Sequence, residues 1–191
     1  MRGEQFAVAL ALINENGIAT IGLLGCPKLP NFNGSKIGCL FEATYQSGAR
    51  ERDLDSGDAV LTLGASPKPN LPITMLESYE VSHTVPKAHE GVFKACHGAQ
   101  IHRMDSQVKY GVLARSKAHI MPRVTCHDNC IWDIAPGSVI LSEAGGLVTD
   151  AAGQPLKFNL GRSIHSNVVL CSSPGSAALH QCMVETLKIL S

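Results

Sequence analysis

A chain of 191 residues can bury a substantial core, as one domain or a closely joined pair. Charged residues make up 17% and the formal net charge is zero, so no broad basic field favours a nucleic acid or an anionic membrane surface as partner. Any anion must therefore be held by a few local charges.

In chain order, 5-QFAVALALI-13 and 18-IATIGLLG-25 are β-compatible runs joined by NENG, which predicts a hairpin. The first run is short and meets polar NENG at once, without a small-residue cleavage pattern, so it reads as a strand, not a signal peptide or a membrane span. Further strands are expected at 37–45, 59–63 and 73–80, with a turn-rich connection at 65–72 and a short helix at 86–97. The segment 105-DSQVKYGVLARS-116 has an acidic start and a basic end, as a helix dipole favours, although Gly111 weakens it. A short strand at 119–124, a helix from about 134 to 144 closed by Gly145 and Gly146, strands at 147–150 and 167–172, and a last helix at 176–190 complete the pattern. This order predicts an α/β (α+β) layered sandwich: a strand-rich region over 1–84 and an α/β domain over 85–191.

Seven cysteines, at 26, 39, 96, 126, 130, 171 and 182, form neither CxxC nor a zinc-spaced series. The cluster 126-CHDNC-130 has no distant partner pair and reads as ordinary thiols of a reducing compartment ahead of a metal site. No GxSxG elbow and no glycine-rich phosphate loop occurs, which argues against serine hydrolase, dinucleotide and P-loop chemistry.

The stretch 131-IWDIAPGSVILSEAGGLVTDAAG-153 leaves two readings of Asp133 open. As an N-cap it would precede Pro136, tolerated in a first turn. As a ligand it would sit at the positive end of a buried helix, below a cavity left by Gly137, where a carboxylate can coordinate a hard divalent cation and the free N–H groups can orient a phosphate. Asp105 and Lys109 are spaced to pair on one helical face, which is unremarkable, or Ser106 and Lys109 serve as a hydroxyl and a point charge for phosphate. Arg123 joins them only if its strand aims at the same crevice. His83 and Thr84 close a strand and can donate to an anion.

The run 132-WDIAPGSVILSEAGGLVTDAAGQPL-156 resembles the C-terminal signature of the inositol monophosphatase superfamily, a Trp-Asp followed by a small-residue helix ending in Glu-Ala-Gly-Gly. With 105-DSQVKYGVLARSKAHI-120, 4-EQFAVALALI-13 and 24-LGCPKLP-30, the resemblance narrows to the 3'(2'),5'-bisphosphate nucleotidase branch. It implies magnesium-dependent removal of the 3'-phosphate from adenosine 3',5'-bisphosphate, giving AMP, and from 3'-phosphoadenylylsulfate, with inhibition by lithium and sodium. It also implies that Asp133 ligates metal, that Ser106 and Lys109 hold the nucleotide and its phosphate, that Arg123 contacts phosphate or base, and that His83 and Thr84 lie near the substrate phosphate.

The chain departs from that pattern at three places: Thr84 replaces a serine, Asn129-Cys130 replaces a Glu-Lys pair, and Ile134-Ala135-Pro136 replaces His-Ala-Ala. A helix with paired glutamates and an Asp-Pro-x-Asp-Gly-Thr loop, which in the family precede a segment like 2-RGEQF-6, do not occur here. Their carboxylates supply most of the family's metal ligands. The expectation is an incomplete magnesium site, an inactive chain derived from a phosphatase, and a first sheet stripped of one covering layer. The alternatives are a catalytically dead nucleotide-binding or regulatory half, and a scaffolding subunit whose first sheet is covered by a partner or a second copy. No Arg/Ser-rich transit-like leader is present, which leaves cytoplasm as the default compartment.

Overall fold

A computed structural model describes residues 5–56, 61–64, 72–79, 85–96 and 98–190. The first sheet is an antiparallel meander of β1 (Val8–Ile13), β2 (Ala19–Pro30), β3 (Ile37–Thr44), β4 (Ala49–Asp53) and β5 (Leu61–Thr62). The second sheet, ordered β7-β6-β8-β10-β9, contains β6 (Thr74–Glu77), β7 (Gln100–Arg103), β8 (Ile120–Val124), β9 (Leu147–Thr149) and β10 (Val168–Ser172). Here β6 runs parallel to β7 and β8, and β10 runs antiparallel to both β8 and β9. Helices α2 (Val108–Ala114) and α3 (Ile131–Glu143) lie between the sheets, while α1 (Pro86–Ala95) and α4 (Ala177–Leu190) cover the far face of the second. The result is the expected layered arrangement of sheet, helices, sheet, helices.

Strand alternation divides the core in two. Leu24, Cys26, Cys39 and Phe41 point inward from the first sheet to meet Tyr110, Leu113, Ile134 and Ile140 of the inner helices, together with Val169 and Cys171 of β10. Leu170, Val168 and Ile120 face the other way, onto Val92 of α1 and Met183 of α4. All five residues of β10 are buried, as a strand covered on both faces requires.

The outer face of the first sheet is different. Val8, Leu10 and Leu12 of edge strand β1 are 70%, 57% and 55% exposed. These three apolar side chains stand on the outward side of the edge strand, beside half-buried Ile21 and Leu23 of β2. No described helix is long and apolar enough to cross a membrane.

Several boundaries differ from the sequence reading, each for a physical reason. Strand β4, 49-ARERD-53, was not predicted because its inward positions include Glu51 and Asp53, which break the apolar alternation. Each is buried with partners: Glu51 with Arg115, and Asp53 with Asn31 and Lys36. Strand β7, 100-QIHR-103, is an exposed edge and gives no hydrophobic signal. Helix α3 starts at Ile131 with Cys130 as N-cap, so Asp133 lies inside the first turn and is not the cap. At its other end, Gly145 at φ 88° permits paired bonds from Gly145 N to Ser142 O and from Gly146 N to Leu141 O, the closure its two glycines predict.

Candidate functional site

The site forms where the start of α2, the strand β8 and the first turn of α3 converge. Helix α2 begins at Val108, not at Asp105. Ser106 stops it from starting earlier: its φ of 64° is left-handed, and its Oγ accepts the Val108 N–H at 3.3 Å. Asp105 therefore precedes the helix, and its carboxylate accepts the Tyr79 N–H at 3.2 Å. The expected helical pairing of Asp105 with Lys109 is replaced by a different arrangement. Lys109 Nζ turns inward to donate to Ser78 Oγ at 3.0 Å and to Met104 O at 2.9 Å.

Lys109 is 6% exposed. Burial pulls its ammonium down to about 8, and the Arg123 guanidinium adds to the shift, against the opposing carboxylates of Asp105 and Asp133. These four groups thus lie within one electrostatic neighbourhood. A buried ammonium whose described partners are both neutral oxygens still attracts an anion.

Arg123, on β8, acts electrostatically on Lys109 from the neighbouring strand. Its Nε donates to Asn129 Oδ1, and its Nη2 stands 3.6 Å from Asp133 Oδ2. Asn129 is buried and tethered in turn, its Nδ2 donating to Ser166 O at 3.1 Å. The Arg123–Asp133 pair is half-exposed and long, so opening it costs at most about 1 kcal/mol. Arg123 can therefore turn to a phosphate oxygen at small cost, and its planar fork suits that acceptor.

Gln107 was not singled out from sequence, yet it holds the two helices in register. Pro136 lies inside α3 and has no N–H to offer the Trp132 carbonyl one turn back. Gln107 Nε2 supplies that missing donor, reaching Trp132 O at 2.8 Å. Its Oε1 accepts the Gly137 N–H at 3.2 Å. One side-chain amide thus repairs the proline break and fixes the first turn of α3, with Asp133, against the start of α2. Trp132 stays half-exposed at the rim, with the Arg162 guanidinium 5.2 Å from its ring centre.

The cavity expected above Asp133 is absent. A Cβ on Gly137 would stand 2.2 Å from the Tyr110 ring, so the small residue admits an aromatic side chain and leaves no space for a ligand. Of the remaining acids, Glu143 accepts the backbone N–H groups of Gln46, Ser47 and Gly48, and Asp150 accepts those of Ala152 and Gln154. Asp128 accepts Ser163 Oγ.

No group of three or more His, Cys, Asp or Glu side chains suited to a metal ion occurs among the described residues, the 126–130 cluster included. A divalent cation that takes oxygen ligands needs several of them. Asp133 can supply one, with Arg123 competing for it, so the described residues do not form a magnesium cage. The structure places Lys109, Arg123 and Asp133 in one electrostatic neighbourhood, while the exposed Ser106 hydroxyl accepts the Val108 N–H; His83 and Thr84 lie outside the described residues.

Comparison with known proteins agrees with this architecture. The family model described as "Inositol monophosphatase family" matches residues 1–190. A "3',5'-bisphosphate nucleotidase 2" of Arabidopsis thaliana is 39% identical over 175 residues, covering 85% of this chain and 49% of that protein. A "3'(2'),5'-bisphosphate nucleotidase" of Dictyostelium discoideum is 34% identical over 181 residues, covering 91% and 54%. The chain thus spans about half the length of the curated relatives it matches. Among solved structures, CysQ from Bacteroides thetaiotaomicron superposes with a TM-score of 0.66 at 18% identity, covering 91% of this chain and 64% of that one. An inositol monophosphatase from Anabaena gives 0.64 at 18% identity, covering 96% and 66%. At these identities the two structures speak to the fold alone.

Proposed function

The chain belongs to the inositol monophosphatase family, and from that premise we propose that its site binds a bisphosphorylated adenosine, adenosine 3',5'-bisphosphate, or the product AMP. The supporting observation is Lys109, a buried ammonium with neutral partners among the described residues, with Arg123 in the same electrostatic neighbourhood. In this reading Lys109 meets a phosphate as a point charge, Arg123 turns from Asp133 to fork onto its oxygens, and the exposed Ser106 hydroxyl donates at the rim. His83 and Thr84 are assigned to the same phosphate by family resemblance.

The reaction proposed for the lineage is hydrolysis of the 3'-phosphate, which the names of the nucleotidase relatives favour over an inositol phosphate. Magnesium in such a reaction neutralises the phosphate and activates the attacking water. The described residues supply one carboxylate toward that ion, so no step is derived through it, and this 191-residue chain is proposed to bind nucleotide without efficient turnover.

Titration calorimetry of the chain with adenosine 3',5'-bisphosphate tests the binding. Saturable heat is expected, with an affinity that falls sharply in Lys109→Met; absence of heat from a wild-type sample with folded circular dichroism overturns the reading. Rapid magnesium-dependent, lithium-sensitive phosphate release would overturn the claim of weak turnover.

The bare β1 face favours a second role, in which a partner or another copy covers Val8, Leu10 and Leu12. Light scattering is expected to show a dimer or larger species, and a stable monomer would rule out self-association through that face.

A further inference from the structure

Residues 129–131 and 162–164 are joined by a short antiparallel bridge centred on Cys130 and Ser163, with Ile131 N donating to Arg162 O at 3.1 Å and Ile164 N to Asn129 O at 3.0 Å. One arm runs straight into α3. The other holds Arg162 beside groups the site already uses, since Asn129 accepts from Arg123 and Asp133 pairs with it. Successive side chains along such an arm alternate in direction. Ser163 turns to Asp128, a carboxylate that His165 also faces at 3.9 Å. Arg162 takes the other side, where its guanidinium lies 5.2 Å from the centre of the Trp132 ring.

The two arginines differ in what they hold. Arg123 bonds Asn129 and stands near Asp133. The Arg162 side chain has neither a hydrogen bond nor a carboxylate among the described residues, and the ring of Trp132 is what places it. An aromatic face positions a guanidinium without consuming its N–H donors. Trp132 is itself steadied through its carbonyl by Gln107, and both Trp132 and Arg162 are exposed. The structure thus presents a positioned fork with its donors available, a short step along the backbone from Asp133.

We propose that Arg162, held by Trp132, is a second phosphate subsite that takes the phosphate of a bisphosphorylated nucleotide left over by Lys109 and Arg123. This rests on the nucleotide-binding reading above and adds to it the group that separates a bisphosphate from a monophosphate. Arg162 touches the ligand through its planar fork. Trp132 is a positioning residue, acting through Arg162.

Titration calorimetry with adenosine 3',5'-bisphosphate and with AMP tests this. Wild type is expected to favour the bisphosphate by roughly tenfold or more, a preference that Arg162→Met removes while leaving the affinity for AMP unchanged. Arg162→Lys, a charge without the fork, should recover part of it. Trp132→Leu should weaken the preference and Trp132→Phe restore it, because either aromatic face can hold the guanidinium. Arg50→Met, the same change of charge on the outer side of β4, should leave the preference intact. Trp132 is also the only tryptophan of the chain, so its emission should shift with the bisphosphate, and neither with AMP nor in Arg162→Met. Equal wild-type affinity for the two nucleotides, a preference that survives Arg162→Met, or an equal loss in Arg50→Met would overturn the second subsite and leave the nucleotide-binding reading standing. Failure of wild type to take either nucleotide would overturn both.

Discussion

Helix α2 has a cation near each end, and the fold treats the two in opposite ways. Arg115, its C-cap, donates to both oxygens of Glu51, with Nε to Oε2 at 2.7 Å and Nη2 to Oε1 at 2.6 Å, and both side chains are buried. Lys109, in the first turn, is equally buried but is bonded only to a hydroxyl and a carbonyl among the described residues. The first cation is neutralised and fixes the sheet to the helix. The second has no carboxylate bonded to it among the described residues, with Asp105 and Asp133 acting only from a distance, which costs stability and is useful only if an anion arrives. A buried cation identifies a binding site only once its counter-charge has been sought and found lacking.

The largest expected effect comes from breaking the structural end. Glu51→Gln leaves Arg115 with no carboxylate in a buried setting, where loss of one partner costs about 3–5 kcal/mol. Glu51 also accepts the Phe32 N–H at 2.8 Å, so the β2–β3 loop loosens with it. Urea denaturation should show the midpoint falling steeply. If Glu51→Gln unfolds no more easily than wild type, the pair is not the anchor described here.

Breaking the functional end should leave stability nearly intact and weaken binding. Lys109→Met removes a charge-assisted contact to phosphate worth about 1.5–3 kcal/mol, roughly a ten- to hundredfold loss in affinity. Its pH dependence sharpens the contrast. Because the folded Lys109 ammonium titrates near 8, it is charged below that value and neutral above it, so affinity for adenosine 3',5'-bisphosphate should fall as pH rises from about 7 to 9.5, by at most tenfold per unit. The phosphate itself is already ionised there. In Lys109→Met the same titration should be flat across this window. Arg115 predicts no such profile, since a guanidinium stays charged throughout.

Gln107→Ala tests how the two helices are held together and should have an intermediate effect. It strands the Trp132 carbonyl and the Gly137 N–H, for a loss of about 1–2 kcal/mol. Affinity should weaken as well, because Asp133 and Lys109 lose their common support. Gln107→Glu, which keeps the acceptor but loses the donor, should fall between the two.

What sequence made legible follows the same division. Apolar periodicity and glycine closure located the first hairpin, the body of α3, β10 and α4, because each buries a regular face. Charged inward positions hid β4, since Glu51 reads as surface until Arg115 is found opposite it, 64 residues away in sequence. Asp133 and Pro136 together resemble the opening of a helix, and only the Gln107 amide explains how the helix starts earlier and runs through the proline. Ser106, Lys109, Arg123 and Asp133 stand out as candidates in the residues themselves, and the resemblance supplies their expected roles; local spacing also suggests a helical Asp105–Lys109 pairing that the left-handed Ser106 prevents.

The smallest effect concerns the space expected above Asp133. Small residues on one helical face signal either a cavity or a close neighbour, and the pattern alone does not distinguish them. Here Tyr110 is the neighbour: its ring fills the notch at Gly137, 3% exposed, and its hydroxyl is buried without a conventional hydrogen-bond partner among the described residues. Desolvating a hydroxyl without recovering a strong bond is unfavourable, and the nearby Cys171 sulfur is a weak acceptor. Tyr110→Phe keeps the ring in the notch and removes the hydroxyl. It should therefore stabilise the chain by up to about 1 kcal/mol, raising Tm by roughly 2–4 °C. Nucleotide affinity should be unchanged, since Lys109 Nζ and Arg123 bond to other partners. A lowered Tm would instead show that the hydroxyl holds α2 to β10 through Cys171, and that Tyr110, like Arg115, belongs to the structural side of the helix.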